Sequence, residues 1–414
     1  MYVLLAMAVA LALLVGLMHL KVRIGLAMVI SALALAVLLG VTPSAFWSAV
    51  IHEWHDKPLS QTTGYLFVTL TALVMLVNSF GTAMKETGVS QRLVPAMQGL
   101  FRSRRVAMAV IPLMMGMLPT PGGIMLSAPM VRDLGDHIGV ERSRSAAINF
   151  LFRHQWETIW PLFPAVPLIQ GMFGISAHTL ISHNIAIMVG GIVGSVFFVL
   201  LWGIPVRRGD EPAHRRFHHN LRGFMDAFWP IAVVAALYAA FGLSPAIGIL
   251  PALLVFLALH KVPLSCWGAI VKSGMEIDFA LLIFGALVFK LNLEAGQAIP
   301  SVVKLFSDMN MSPYVLIFVL PMLVSFLTGL TMPTVAMTFP FLVPFIGTGQ
   351  ETKVGLETLA FSGLMCGLLI TPVHLCLALS ATYFETPLRK VILKALGPAA
   401  CVAAAGALMA VLGR

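Results

Sequence analysis

The 414-residue chain is 59% hydrophobic and 10% charged, and its 26 Lys and Arg outweigh 17 Asp and Glu to give a net charge of +9. A soluble domain carries about 25% charged residues, so this composition, with a mean hydropathy of +0.94, excludes one. The basic residues sit in short loops between apolar runs, where they report membrane orientation rather than nucleic-acid binding.

The first apolar run, Tyr2 to Met18, has no basic residue before it and is followed by Lys21 and Arg23. That order is wrong for a cleaved secretory signal and predicts an uncleaved helix with its N-terminus outside an inner membrane. Full spans are then predicted at 22–41, 62–84, 145–170, 184–203, 225–242, 245–260, 278–292, 356–384 and 393–412, ten with the first. His52-Glu53-Trp54-His55-Asp56 reads as an outside loop, because its His-x-x-His has no partner set for a metal. The four cysteines show no Cys-x-x-Cys or Cys/His ligand spacing, so neither a disulfide nor a metal site is expected.

Two apolar stretches, 106–131 and 313–345, are interrupted by helix breakers: Pro119-Thr120-Pro121-Gly122-Gly123 in one and Thr328-Gly329-Leu330-Thr331-Met332-Pro333-Thr334 in the other. An arm of about 12 residues rises only ~18 Å against a ~30 Å hydrocarbon core, so each stretch reads as a re-entrant hairpin. With both re-entrant, twenty of the 26 basic residues face the cytoplasm and five face outward, whereas two crossings would split the same loops 12 to 13. The positive-inside rule selects the hairpins.

This topology divides the chain into a first repeat at 1–203, a basic cytoplasmic linker at 204–224 and a second, inverted repeat at 225–414. Three echoes agree: Ala109-Val-Ile-Pro-Leu-Met114 with Phe318-Val-Leu-Pro-Met-Leu323, Ser127-Ala-Pro-Met130 with Thr338-Phe-Pro-Phe341, and Thr158-Ile-Trp-Pro161 with Leu369-Ile-Thr-Pro372. The fold expected is therefore an all-α polytopic membrane protein of about ten transmembrane helices and two re-entrant helical hairpins in inverted-topology repeats. Broken elements paired between inverted repeats mark a midplane substrate site, where half-helix N-termini favour anions and exposed carbonyls or hydroxyls favour Na⁺. Thr120, Gly122, Gly123, Ser127, Thr328, Gly329, Thr331 and Thr334 are the substrate-binding candidates at the tips, with close packing of small residues as the alternative.

The span 145–170 carries the unusual polar residues. Asn149, Arg153 and Glu157 share one face of a continuous helix, and Arg153 could pair with Glu157 along it. Arg153 is the candidate for a substrate anion, and His154, Glu157 and Asn149 for ion coupling; a structural ion pair is the alternative. Asn78 and His374 read as satisfied interior groups.

The segments PTPGGIMLSAPMV, NFLFRHQWETIWPLFPA and TGLTMPTVAMTFPFL resemble the bacterial and archaeal family called domain of unknown function 401, within the ion-transporter superfamily of gluconate, citrate and dicarboxylate permeases and some Na⁺/H⁺ antiporters. The resemblance implies a scaffold around a transport core with two hairpins, and related folds are often homodimers. The Ser-Asn-Thr sodium motif of the dicarboxylate branch is absent from both hairpins. The expected function is cation-coupled secondary transport of a small organic anion, a carboxylate, driven by H⁺ or Na⁺, with no enzymatic activity, no cofactor and no nucleic-acid partner; the lipid bilayer is its medium. The alternatives are a cation/proton antiporter and a membrane-embedded enzyme acting on lipid.

Overall fold

A computed structural model describes residues 2–98, 100–101, 103–117, 123–202, 217–308 and 312–413, all helix and connections with no strand among them. Helices α1 (Tyr2–His19), α2 (Ile24–Leu39), α3 (Pro43–Asp56), α4 (Thr63–Glu86) and α5 (Val89–Gln98) lead to the first hairpin, α6 (Arg104–Met115) and α7 (Ile124–His137). Then come α8 (Arg142–Arg153), a 3-10 stretch (His154–Thr158), α9 (Ala165–Phe173) and α10 (Ala177–Ser195). The same order of elements returns in α11 (Phe217–Phe241), α12 (Pro245–Leu259), α13 (Leu264–Ser273), α14 (Ile277–Ala295) and α15 (Ala298–Asp308). The second hairpin, α16 (Pro313–Thr328) and α17 (Thr331–Ile346), is followed by α18 (Val354–Ile370), α19 (Leu375–Tyr383) and α20 (Leu388–Leu412).

Among the described residues, six helical stretches are long and apolar enough to cross a membrane, or eight if two bent pairs, α2 with α3 at 109° and α14 with α15 at 65°, each count as one span. The hairpin arms, of 12, 14, 16 and 16 residues, rise ~18–24 Å and are each too short to cross a ~30 Å core.

Several expectations are corrected. The span at 145–170 is not one helix: it ends as α-helix at Arg153, tightens into the 3-10 turn, and resumes only at Ala165. Pro161 and Pro164 lack the N–H that would continue it. The span expected at 356–384 is kept as the candidate span Val354–Tyr383, with its helix interrupted at 371–374, where Pro372 follows the extended Thr371. Residues 52–56 form no loop but the last turns of α3, which starts at Pro43 after the cap Thr42. The linker lies mostly outside the described residues, but 217–224 already belong to α11.

Packing is tightest where side chains are missing. A Cβ on Gly363 or Gly367 of α18 would run into the carbonyls of Phe318 and Met322 on α16, and one on Gly355 into that of Met409 on α20. Backbone cannot yield as a flexible side chain does. Gly367→Ala is therefore expected to lower the melting temperature, at a cost of about 1–3 kcal/mol; an unchanged melting curve would show that α16 and α18 separate freely.

At one end, α10 continues as a π-helical turn, Val196–Leu201, that ends at the extended Trp202. Arg105 at the start of α6 donates Nε to the Leu200 oxygen at 2.8 Å and Nη2 to that of Leu201 at 2.7 Å. Arg144 at the start of α8 donates to Val199 at 3.0 Å and also to Trp202. Cations at a helix C-terminus are favoured by its dipole. Beside them, Arg142 and then Arg132 hold the Glu385 carboxyl below the usual carboxylate range, and Lys394 pairs with Glu141 at 3.1 Å.

Candidate functional site

The site is built from the two helix breaks and the hairpin tips that meet them. At the first break, three side chains close the C-terminal end of α6. Arg153 Nη1 donates to the Met115 carbonyl at 2.8 Å, and the indoles of Trp156 and Trp160 donate to Leu113 at 2.8 Å and Met117 at 2.9 Å. The last carbonyls of a helix are its negative end, and a guanidinium and two indole N–H groups close them here, Leu113 accepting from the Gly116 amide as well. The approach is close because Gly116 faces the Arg153 backbone, where a Cβ would collide with its carbonyl. The other arm of this hairpin is held by Asn149, whose Oδ1 accepts from Ser127 Oγ at 2.6 Å while its Nδ2 donates to Ile124 at 3.3 Å.

At the second hairpin only Gly329 and Leu330 lie outside helix, a shorter break than the expected 328–334. Gly329 takes φ +67°, the left-handed conformation that closes α16. Thr328 Oγ1 and Thr334 Oγ1 donate to the carbonyls of Val324 at 2.8 Å and Leu330 at 2.6 Å. Thr331, the first residue of α17, donates its hydroxyl to Glu157 Oε2 at 2.5 Å. A carboxylate of the chain itself therefore sits at the positive end of α17.

Two histidines complete the centre. His154 Nε2 lies 2.9 Å from His374 Nε2, and 3.6 Å from Glu157 Oε1. Each ring is fixed through Nδ1, His154 to the Phe150 carbonyl at 2.7 Å and His374 to that of Gly329 at 2.7 Å. The Phe150 ring packs against both, 4.5 Å and 5.6 Å between centroids. Arg153, His154, Gln155 and Glu157 are 3–6% exposed, so charge here is not screened by bulk water.

The expected residues thus divide. Arg153, His154, Glu157, Gly329 and Thr331 come together at the breaks, with Thr328 and Thr334 just inside α16 and α17. Asn149 fastens α7 through Ser127 and is not at the histidine pair. Gly123 caps α7; Thr120 and Gly122 lie outside the described residues. The pairing of Arg153 with Glu157 along a helix is corrected: the helix ends between them, and Glu157 instead contacts Thr331 and His154. His374, expected as an interior histidine, is a central member.

Metal binding was not expected, yet His154, His374 and Cys376 bring ligand atoms within 4.8 Å of one another. Tetrahedral nitrogen ligands at ~2.0–2.1 Å from zinc lie ~3.3 Å apart. The two Nε2 atoms stand closer than that and face each other rather than a shared centre.

A second buried carboxylate escaped the sequence. Glu357 on α18 is fully buried, its Oε1 accepting from Asn184 Nδ2 of α10 at 3.3 Å, while Glu357 Oε2 and Asn184 Oδ1 have no partner. Glu357→Gln would let the two amides bond reciprocally. It is expected to raise the melting temperature, by relief of an orphan-atom penalty of about 1–3 kcal/mol; a lowered melting temperature would show that the acid itself is required.

The solved structure of the Alcanivorax borkumensis YdaH transporter has a similar fold. It aligns over 87% of this chain and 88% of its own, with a TM-score of 0.60 at 13% sequence identity. No curated protein matches the sequence. The profile described as "Protein of unknown function (DUF401)" matches residues 2–412, and the chain belongs to that family.

Proposed function

We propose that this protein is a secondary active transporter, carrying a small organic anion of the carboxylate class across the cytoplasmic membrane by alternating access, coupled to H⁺ or Na⁺. The observation that carries the reading is a buried guanidinium, Arg153, set at the first hairpin beside the Glu157 carboxylate, which Thr331 and His154 also contact. A cation so placed is suited to a carboxylate, which accepts paired N–H bonds from a guanidinium.

Matching contacts made by the corresponding helices of the two halves support alternating access. α2 packs along α14 as α12 packs along α4, α3 meets α14 as α13 meets α4, and α7 meets α19 as α17 meets α9. Each half thus lends the same elements to the other. The likeness to a transporter fold and the basic bias of the loops that puts the N-terminus outside are consistent with this reading.

A cation/proton antiporter is the second reading, favoured by the His154, His374 and Glu157 cluster. An enzyme acting on lipid has less support, because these groups are enclosed by helices. The test is the thermal stability of the purified protein against a panel of carboxylates and other anions, with and without Na⁺, at two pH values. A ligand that binds the native state raises the melting temperature by mass action. A shift specific to carboxylates supports the anion transporter; shifts with cations or pH alone, every anion being silent, favour the antiporter.

A further inference from the structure

The hydrogen bonds at the histidine pair fix a proton count. A carbonyl oxygen only accepts, so Nδ1 of His154, on the Phe150 oxygen, carries a hydrogen, and so does Nδ1 of His374, on the Gly329 oxygen. A neutral imidazole has one N–H. Two neutral rings in these positions would therefore present two bare lone pairs to each other across 2.9 Å. One additional proton removes the conflict as an Nε2–H···Nε2 bond, leaving three protons on four nitrogens and one positive charge on the pair. Its counter-charge is at hand in Glu157, 3.6 Å from His154 Nε2. The other titratable or charged groups facing the pair are Arg153, adjacent in sequence, and Cys376.

The two rings belong to separately anchored units. His154 is tied to α8 through Phe150. His374 is tied to the second hairpin through Gly329, and its neighbour Thr371 donates to the Phe326 carbonyl of α16 at 2.5 Å. Neither anchor depends on the other ring.

We propose that H⁺ is a coupling ion of this protein, and that closing the contact between the first helix break and the second hairpin binds one proton, shared between Nε2 of His154 and Nε2 of His374. Parting the two units breaks that N–H···N bond and returns the proton to water, leaving both rings neutral. The Thr331–Glu157 bond spans the same boundary, so contact and counter-charge form together. This deepens the transporter reading by naming its ion.

The test is ¹⁵N magnetic resonance of histidine-labelled protein in lipid bilayers from pH 5 to 9, in the presence of a chelator, for wild type, His154→Gln and His374→Gln. Wild type is expected to show one pair of rings coupled through an Nε2–H···Nε2 bond with both Nδ1 atoms protonated. The coupling should vanish as pH rises, as both Nε2 signals move to the bare-nitrogen range. Either Gln variant, whose side-chain amide donates without an added proton, should lose the coupling and leave the remaining ring neutral at neutral pH. Wild-type rings uncoupled at every pH, a bare Nδ1 on either ring, or a coupling unaffected by either substitution would overturn the proposal. So would signals that differ without the chelator, since a metal would then join the nitrogens. The experiment reads no anion: a silent carboxylate panel beside a protonated pair would reject the anion reading alone.

Discussion

Arg153→Ala is expected to abolish the melting-temperature shift given by a bound carboxylate and the uptake of that carboxylate into proteoliposomes. A hydrogen bond to a charged group contributes about 1.5–3 kcal/mol, so affinity should fall roughly 10- to 150-fold or more. The guanidinium also closes the end of α6 through the Met115 carbonyl, and alanine would remove both roles. Arg153→Lys separates them. Lysine keeps the charge and a donor for the carbonyl but cannot offer a paired N–H fork. Weakened carboxylate binding at an unchanged ligand-free melting temperature would assign Arg153 to the anion. A Lys variant that binds normally and melts normally would leave Arg153 as a helix cap, and the anion site would lie elsewhere.

The largest loss of stability is expected from Lys290→Met. Lys290 on α14 is 3% exposed and Glu53 on α3 is 4% exposed. Their charges meet at 2.5 Å, with the Thr63 hydroxyl 3.3 Å from the ammonium and the Thr63 amide 3.0 Å from the carboxylate. Removing one member of a buried pair leaves the other charge enclosed, at about 3–5 kcal/mol. Lys57 also reaches Glu53, at 2.9 Å, from a half-exposed position, which places the expected cost toward the lower figure. Glu53→Gln with Lys290→Met should recover most of it, because two neutral groups need no counter-charge. Melting temperatures of the four proteins form the cycle; an additive double variant would mean that the pair does not hold α3 against α14.

The hairpins were legible because proline and glycine act locally: Pro112 and Pro129 flank one tip, and Gly329 turns the other. The second pair of breaks was visible only as a resemblance, Thr158-Ile-Trp-Pro161 with Leu369-Ile-Thr-Pro372, since hydropathy runs on through both. Spacing then misled. Arg153 and Glu157 are four residues apart, but that places them on one face only if the helix continues, and it stops between them. The histidine pair joins residues 220 apart in sequence, and no local pattern reports such a contact. A histidine directly after the Pro372 break was the available signal. Glu357 could be read from the sequence as a lone acid near the start of an apolar run, but its burial against Asn184 depends on how α10 and α18 pack.

The side-chain-free seams of α18 bear on how the protein changes shape. With the carbonyls of α16 against Gly363 and Gly367, that of Met409 against Gly355, and Ser362 filling the space at Gly406, no flexible layer lies between α16, α18 and α20. The second hairpin then has no freedom to swing as a flap; it travels with its backing as a rigid block. The connection at 371–374 is fastened to that block by Thr371 on the Phe326 carbonyl and by His374 on that of Gly329, so the second imidazole rides with it.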